Sequence, residues 1–471
     1  MTAATRERLP TRWLILAVLS LAQLTVVLDN TVLNVAIPAL TSSLGADTAD
    51  IQWIINAYAL AQSGLLLAAG GAADRYGRKR MLLIGLALFG AGSLAAGLSQ
   101  TTAQLIAARA GMGVGGALLV TGTLAVALQI FDAAERPRAI GIWAAVSALG
   151  FAVGPLIGGA VLAHYRWGAI FLINLPVVVL SLVAAWSLIP ESRSAGGRPD
   201  LIGAVLATVG TTGIVYAVIA GRVLPFAAGA LVLVAFLAWE ARVPHPMLHL
   251  ALFRDRRLTS AVVGIVLITF GSAGALFLMT QQLQFVRGYP PWEAGVRMLP
   301  FALSIVALNF TGLSTRLMRR IGLPAAIAAG MTTLASGLAV TAHFTTGGYG
   351  ILLLGLTLMG AGCALANPAV IEAVMSAIPA TDAGAGAGID GTMSELGGAL
   401  GVAVLGAVLH RRFRTGLPFD AGSFPEALAA PGASPTSVIA AFAAGLEAAQ
   451  IAGAAAVLAG GLLTAWLLRR A

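Results

Sequence analysis

Five ionisable side chains, Asp29, Arg109, Glu372, Asp390 and Glu395, fall in or at the ends of stretches that are otherwise almost wholly apolar. An ionisable group at the centre of a bilayer costs at least about 2.5–3.5 kcal/mol, so such residues mark function or pairing by default. Asp29 lies about nine residues from the far end of its apolar run and Arg109 about six from the far end of its own. At 1.5 Å per residue their depths differ by about 5 Å, so the two can meet. Burial opposes ionisation of a carboxyl and a guanidinium favours it, so sliding one helix past the other would load and unload a proton. The alternative is a static pair that only fixes packing.

Asp390 and Glu395 form a second candidate pair, with Glu395 near mid-membrane and Asp390 nearer a helix end. Five residues place them about 140° apart on a helix, so at most one faces a given cavity squarely. Glu395 reads either as a second proton carrier or as a carboxylate that favours cationic substrates. Asp390 either lines the same cavity or snorkels to the interface. Glu372 sits at a helix end and reads as solvated.

Enzyme signatures are missing. The only lysine, Lys79, is followed by Arg80 and has no phosphate loop before it, so direct use of ATP is excluded. His245 and His249 have the i,i+4 spacing of a metal pair, but Pro246 lies between them and they read as loop residues. Cys363 is the single cysteine, which rules out an intrachain disulfide and a thiolate cluster. No metal and no cofactor is expected.

The elements that must carry these residues follow from composition. The 471 residues are 58% hydrophobic and 10% charged, where soluble domains hold roughly 45–50% and 25%. Glycine, 57 residues in all, suits membrane helices that approach closely. Apolar runs of about 20 residues lie near Trp13–Pro38, Ile51–Gly71, Met81–Leu98, Ala103–Leu128, Ala139–Ala163, Trp167–Ile189 and Leu201–Gly221. Others lie near Pro225–Ala241, Leu258–Thr280, Met298–Thr315, Leu323–His343, Gly350–Ile371, Gly384–Leu409 and Leu446–Leu468. This predicts an all-α polytopic membrane protein with 14 helical spans. The stretch from Arg411 to Pro435 is expected to be irregular or partly helical.

With the N-terminus inside, 20 of the 28 basic residues fall in cytoplasmic segments, 7 fall outside, and Arg109 lies within a span. That asymmetry places both termini in the cytoplasm of a multi-pass inner-membrane protein. It also accounts for the net charge of +9 without a nucleic-acid partner. Gly71-Ala-Ala-Asp74-Arg75 is echoed by Gly312-Leu-Ser-Thr315-Arg316, which suggests two homologous halves with a midplane site between them. The expected division is 1–190 for a first six-helix half, 191–257 for an inserted two-helix hairpin and 258–471 for a second six-helix half.

These residues resemble the major facilitator superfamily along nearly the whole chain. Gly71-Ala-Ala-Asp74-Arg75-Tyr-Gly77-Arg78-Lys79-Arg80 is similar to its loop 2–3 signature, which implies a cytoplasmic charge latch. Leu105-Ile-Ala-Ala-Arg109-Ala-Gly-Met-Gly113 resembles the helix-four signature, which implies a part for Arg109 in proton coupling, although Met112 stands where a Gln is usual. The run Gly150-Phe-Ala-Val-Gly154-Pro155-Leu-Ile-Gly158-Gly159 resembles the antiporter signature of helix five, found in exporters.

Leu28 to Pro38, Arg166-Trp167 with Phe171-Leu-Ile-Asn174-Leu-Pro176, and Pro244 to Phe253 resemble the fourteen-spanner drug:proton antiporter family, the EmrB/QacA type. That resemblance implies that Asn30 and Asn34 lie in a substrate cavity with Asp390 and Glu395, where the family is expected to have amides. It further implies efflux of amphipathic small molecules, such as antibiotics, in exchange for protons. The partners are then a drug-like substrate, protons and membrane lipids, with a periplasmic adaptor left open. A proton-coupled symporter or an exporter of one metabolite is the alternative, and a membrane-embedded enzyme or a purely structural partner is the remote one.

Overall fold

Backbone polar groups in hydrocarbon must satisfy one another, which only helices or closed barrels achieve. The computed structural model describes residues 11–132, 135–193, 200–244, 246–248, 250–345, 348–378 and 383–470, so His245 and His249 lie outside the described residues. The helices of the first part are α1 (Arg12–Leu44), α2 (Thr48–Tyr76), α3 (Arg78–Leu98), α4 (Thr102–Ile130), α5 (Arg136–His164) and α6 (Ala169–Leu188). A hairpin of α7 (Leu201–Ala220) and α8 (Val223–Glu240) follows. Then come α9 (Arg256–Val286), α10 (Pro291–Phe310), α11 (Leu323–His343), α12 (Tyr349–Ala377), α13 (Ala383–Thr415) and α14 (Pro435–Arg470). Among the described residues, 13 helical stretches are long and apolar enough to cross a membrane, and α5 adds the shorter apolar stretch Val153–His164.

Helices α1–α6 pack among themselves, as do α9–α14, and the two groups meet along α2 with α13 and along α5 with α10. The hairpin lies against both α2 and α13, so it straddles the seam between the groups. Small residues make the close crossings possible. A Cβ built at Gly115 of α4 would stand 2.6 Å from the Phe89 backbone nitrogen of α3.

The face carrying the start of α1 and the α2–α3 loop is here called the terminal face, and the opposite one the distal face. At the distal face the groups are pinned together by Gln284 Nε2 donating to the Val35 carbonyl at 2.9 Å. Gln52 Nε2 donates to the carbonyls of Val402 and Ala403 at 3.1 and 3.0 Å.

Several helices outrun the apolar stretches that announce them. The stretch Met298–Thr315 is instead a helix that begins at Pro291 and stops at Phe310, where Gly312 takes a φ of +67°. A proline at the first position suits a helix start, and the left-handed glycine ends the span. A short amphipathic helix, Leu313–Ile321, then carries Arg316, Arg319 and Arg320. Beyond α13 the connection holds one short helix, Phe424–Ala429. Arg411, Arg412 and Arg414, expected in that connection, belong to the last turns of α13.

Candidate functional site

Asp29 of α1 and Arg109 of α4 form an ion pair, with Arg109 Nη1 donating to Asp29 Oδ2. Both are buried, with residue exposures of 3% and 0%. The guanidinium is held twice more from α2. Its Nε donates to the Ile54 carbonyl at 3.1 Å, and its carbon lies 4.4 Å from the centroid of the Tyr58 ring, a cation–π arrangement. Glycine at 116 explains why Tyr58 can stand there, since a Cβ at that position would meet Tyr58 Oη at 2.6 Å.

The other carboxylate oxygen is served from α6. Asn174 Nδ2 donates to Asp29 Oδ1 at 3.2 Å and to Ser93 Oγ of α3 at 3.2 Å. Ser93 Oγ in turn lies 3.9 Å from Met112 Sδ, so the methionine found in place of a glutamine belongs to the second layer of this site. Five helices, α1, α2, α3, α4 and α6, thus converge on one charge pair. A buried pair of this kind gains stability only when further hydrogen bonds satisfy both partners. Here two groups are left over: among the described residues neither Arg109 Nη2 nor Tyr58 Oη has a hydrogen-bond partner.

Across the interface between the groups stands Glu395 of α13. It is half-buried and close enough for its charge to act on Arg109 and on Tyr58. Asp390, also half-buried, lies five positions nearer the terminal face. Neither carboxylate has a basic partner within salt-bridge distance among the described residues. Asn34 Nδ2 donates to the carbonyl of Asn30 at 3.1 Å while its Oδ1 has no partner among the described residues. Asn30, Asn34 and Glu395 are therefore brought toward the same region as Asp29 and Arg109, whereas Asp390 is set apart from it along α13.

The glycine run of α5 does two things at once. Gly150, Gly154 and Gly158 face α1: a Cβ at Gly150 would meet Leu24 at 2.8 Å, one at Gly158 would meet Val32 at 3.0 Å, and one at Gly154 would run into Thr31. Thr31 Oγ1 also donates to the Gly150 carbonyl at 3.4 Å. Gly159 and Pro155 face α10, where a Cβ at Gly159 would come within 2.7 Å of the Pro291 carbonyl and Gly295 presses on Pro155. This helix therefore couples the Asp29 helix to the second group.

At the terminal face, Gly71 lies in the last turns of α2, and Gly77 turns the chain from α2 to α3 with a φ of +115°. Arg78 Nε and Nη2 donate to Asp74 Oδ1 at 3.0 and 2.7 Å, and Arg78 Nη1 reaches Gln129 of α4 at 3.4 Å. Lys79 Nζ donates to the Trp186 carbonyl near the end of α6 at 2.6 Å. Arg75 and Arg80 stay exposed. The loop thus binds the ends of α2, α3, α4 and α6 into one unit.

Sequence reasoning found the Asp29–Arg109 pair and missed Asn174, Ser93 and Tyr58 as its supports. Asn174 was visible as part of a motif, and its being polar within an apolar run was the usable signal.

The sequence profile described as Major Facilitator Superfamily matches residues 19–402. The methyl viologen resistance protein SmvA of Salmonella typhimurium is 37% identical over 426 residues, covering 87% of this chain and 85% of that protein. The multidrug efflux pump LfrA of Mycolicibacterium smegmatis is 33% identical over 432 residues, covering 89% and 85%. A tetracenomycin C resistance and export protein of Streptomyces glaucescens is 34% identical over 413 residues, covering 85% and 76%. In fold, the chain is similar to a bacterial homolog of the human lysosomal transporter Spinster in an inward-facing conformation, with a TM-score of 0.71, 16% identity and 98% of each chain covered.

Proposed function

The chain belongs to the Major Facilitator Superfamily and is a multi-pass membrane transporter rather than an enzyme, and from that premise we propose that it exports amphipathic, drug-like molecules in exchange for protons. The carrying observation is the buried Asp29–Arg109 pair with its unspent donor, Arg109 Nη2, and a carboxylate of the other group, Glu395, within electrostatic range. With Asp29 ionised, the guanidinium is held to α1. A proton arriving at the Asp29 carboxylate cancels that attraction and frees Arg109 from α1, which links protonation to a movement of α1 against α4, while Glu395 faces the cavity as a site for cationic cargo. Release of the same proton on the other side restores the pair and resets the carrier. The coupling needs no cofactor, and the proton gradient drives it.

In this reading the chain is of the fourteen-spanner EmrB/QacA type, with α5 as a full span and α7–α8 as an inserted pair. Its parts are 1–190, 191–257 and 258–471, the terminal face is cytoplasmic, and the membrane is the inner one. The two six-helix groups rock about a midplane cavity containing Asn30, Asn34 and Glu395, with Asp390 toward its cytoplasmic mouth. The glycine run of α5 transmits the motion, and the loop from Gly71 to Arg80 holds the first group rigid. The names of SmvA, LfrA and the tetracenomycin C exporter support drugs as cargo, and methyl viologen is a dication of the kind an unpaired Glu395 would attract.

The test uses everted membrane vesicles and a pH-sensitive dye. Adding methyl viologen should release protons from vesicles containing the wild-type chain, and Asp29→Asn should abolish that release while methyl viologen still binds. Undiminished proton exchange by Asp29→Asn would overturn the assignment. Proton movement in the same direction as the substrate would favour a symporter.

A further inference from the structure

The inserted hairpin does not close completely on the seam it straddles. On the distal face a groove of about 930 Å³ remains between the first turns of α2, the end of α7 and the last turns of α13. Its walls are of two kinds. Val218, Ile219, Val404 and Val408 are apolar, and Arg411, Arg414 and Asp420 lie at and beyond the distal end of α13. Ten residues of helix separate Val404 from Arg414, which is about 15 Å along the axis of α13.

A cleft with apolar walls and arginines toward the distal end of its longest helix has the polarity of a lipid molecule. The rim charge selects among lipids. Arg414 is already paired with Asp420 at 2.5 Å. Arg411 is exposed, and its side chain carries neither hydrogen bond nor ion pair among the described residues. An uncompensated guanidinium suits a phosphate, which arginine binds through paired donors, and disfavours a headgroup that adds its own ammonium.

We infer that this groove binds one anionic phospholipid of the outer leaflet, with its phosphate on Arg411 and an acyl chain along Val404 and Val408. The lipid fastens the hairpin to α2 and α13. The assignment of leaflet rests on the orientation proposed above, but binding itself does not depend on transport, so either reading can fail without the other.

The purified full chain in mild detergent is offered phosphatidylglycerol and phosphatidylcholine with the same acyl chains and followed by native mass spectrometry. Wild type should retain one phosphatidylglycerol at least about fivefold over phosphatidylcholine, and millimolar inorganic phosphate should not displace it. Arg411→Gln, an exposed substitution that breaks no contact, should remove the preference. Val404→Trp, which fills the groove, should reduce retention of both lipids. Thermal unfolding supplies a second readout, because phosphatidylglycerol should raise the midpoint of wild type and not that of Arg411→Gln. Equal retention of the two lipids by wild type, an undiminished preference in Arg411→Gln, or displacement by phosphate alone would each overturn the assignment.

Discussion

The two groups of helices carry their membrane-embedded charges in opposite ways. Asp29 and Arg109 in the first are fully enclosed, Arg109 held further by the Ile54 carbonyl and the Tyr58 ring and Asp29 by Asn174. Glu395 and Asp390 in the second are half-buried and stand outside salt-bridge distance of every described basic residue. A buried charge pair held from several helices keeps its geometry, and removing one partner of such a pair costs about 3–5 kcal/mol. A half-exposed carboxylate keeps some water and remains free to accept a cation. The first arrangement suits a switch and the second suits a binding surface.

The largest expected effect tests how much of the first arrangement depends on guanidinium geometry. Lysine at 109 would keep the charge beside Asp29 but give up the bond to the Ile54 carbonyl and most of the stacking on Tyr58. Hydrogen bonds of charged groups are worth about 1.5–3 kcal/mol each, so Arg109→Lys should lower substrate-dependent proton release roughly a hundredfold in everted vesicles. A loss under threefold would mean that any cation serves.

Next comes Asn174→Ala, which removes a donor from Asp29 and leaves the ion pair standing. Loss of one bond near the low end of that range, about 1.5 kcal/mol, should slow efflux about tenfold for all substrates alike, whereas Asn174→Asp should do at least as much damage by setting a second carboxylate against Asp29. If the loss depends on the charge of the substrate, Asn174 belongs to the cavity and not to the switch.

Glu395→Gln should behave in the contrary manner. A charge pair at 4 Å is worth about 4 kcal/mol at an effective dielectric near 20, before desolvation, and a remainder of about 1 kcal/mol corresponds to roughly fivefold weaker resistance to a cationic dye. Resistance to a neutral antibiotic should be unchanged. Equal loss for both would make Glu395 a second proton carrier and erase the contrast between the two groups. Asp390→Asn should have the smallest effect, under about twofold in the same resistance assay, because that residue lies nearer the terminal face and is set apart from the region of Asp29 and Arg109. A larger loss than that of Glu395→Gln would exchange the roles of the two carboxylates.

Asp29 and Arg109 were legible as a pair because depth in a helix follows from counting residues, and two costly charges at one depth have few other partners. The Asn174 contact was not legible, since it joins positions 145 apart and depends on the rotation of α6 about its own axis. Helix ends were misjudged for a related reason. Apolar runs report the hydrocarbon thickness, while α1 continues to Leu44 and α13 to Thr415 because backbone hydrogen bonding persists past the membrane core.

By itself, the amino-acid sequence determined that the chain crosses a membrane many times, where its costly charges lie, and which glycines allow close approach. These are local matters of transfer free energy and side-chain size. Only the tertiary structure decided which oxygen of Asp29 meets Arg109, that Asn174 and Tyr58 complete that site, that the α5 glycines face two helices, and that the hairpin leaves a groove over the seam. Such choices depend on van der Waals fit among helices that are equally apolar all round, and hydropathy carries no information about which face turns toward which neighbour.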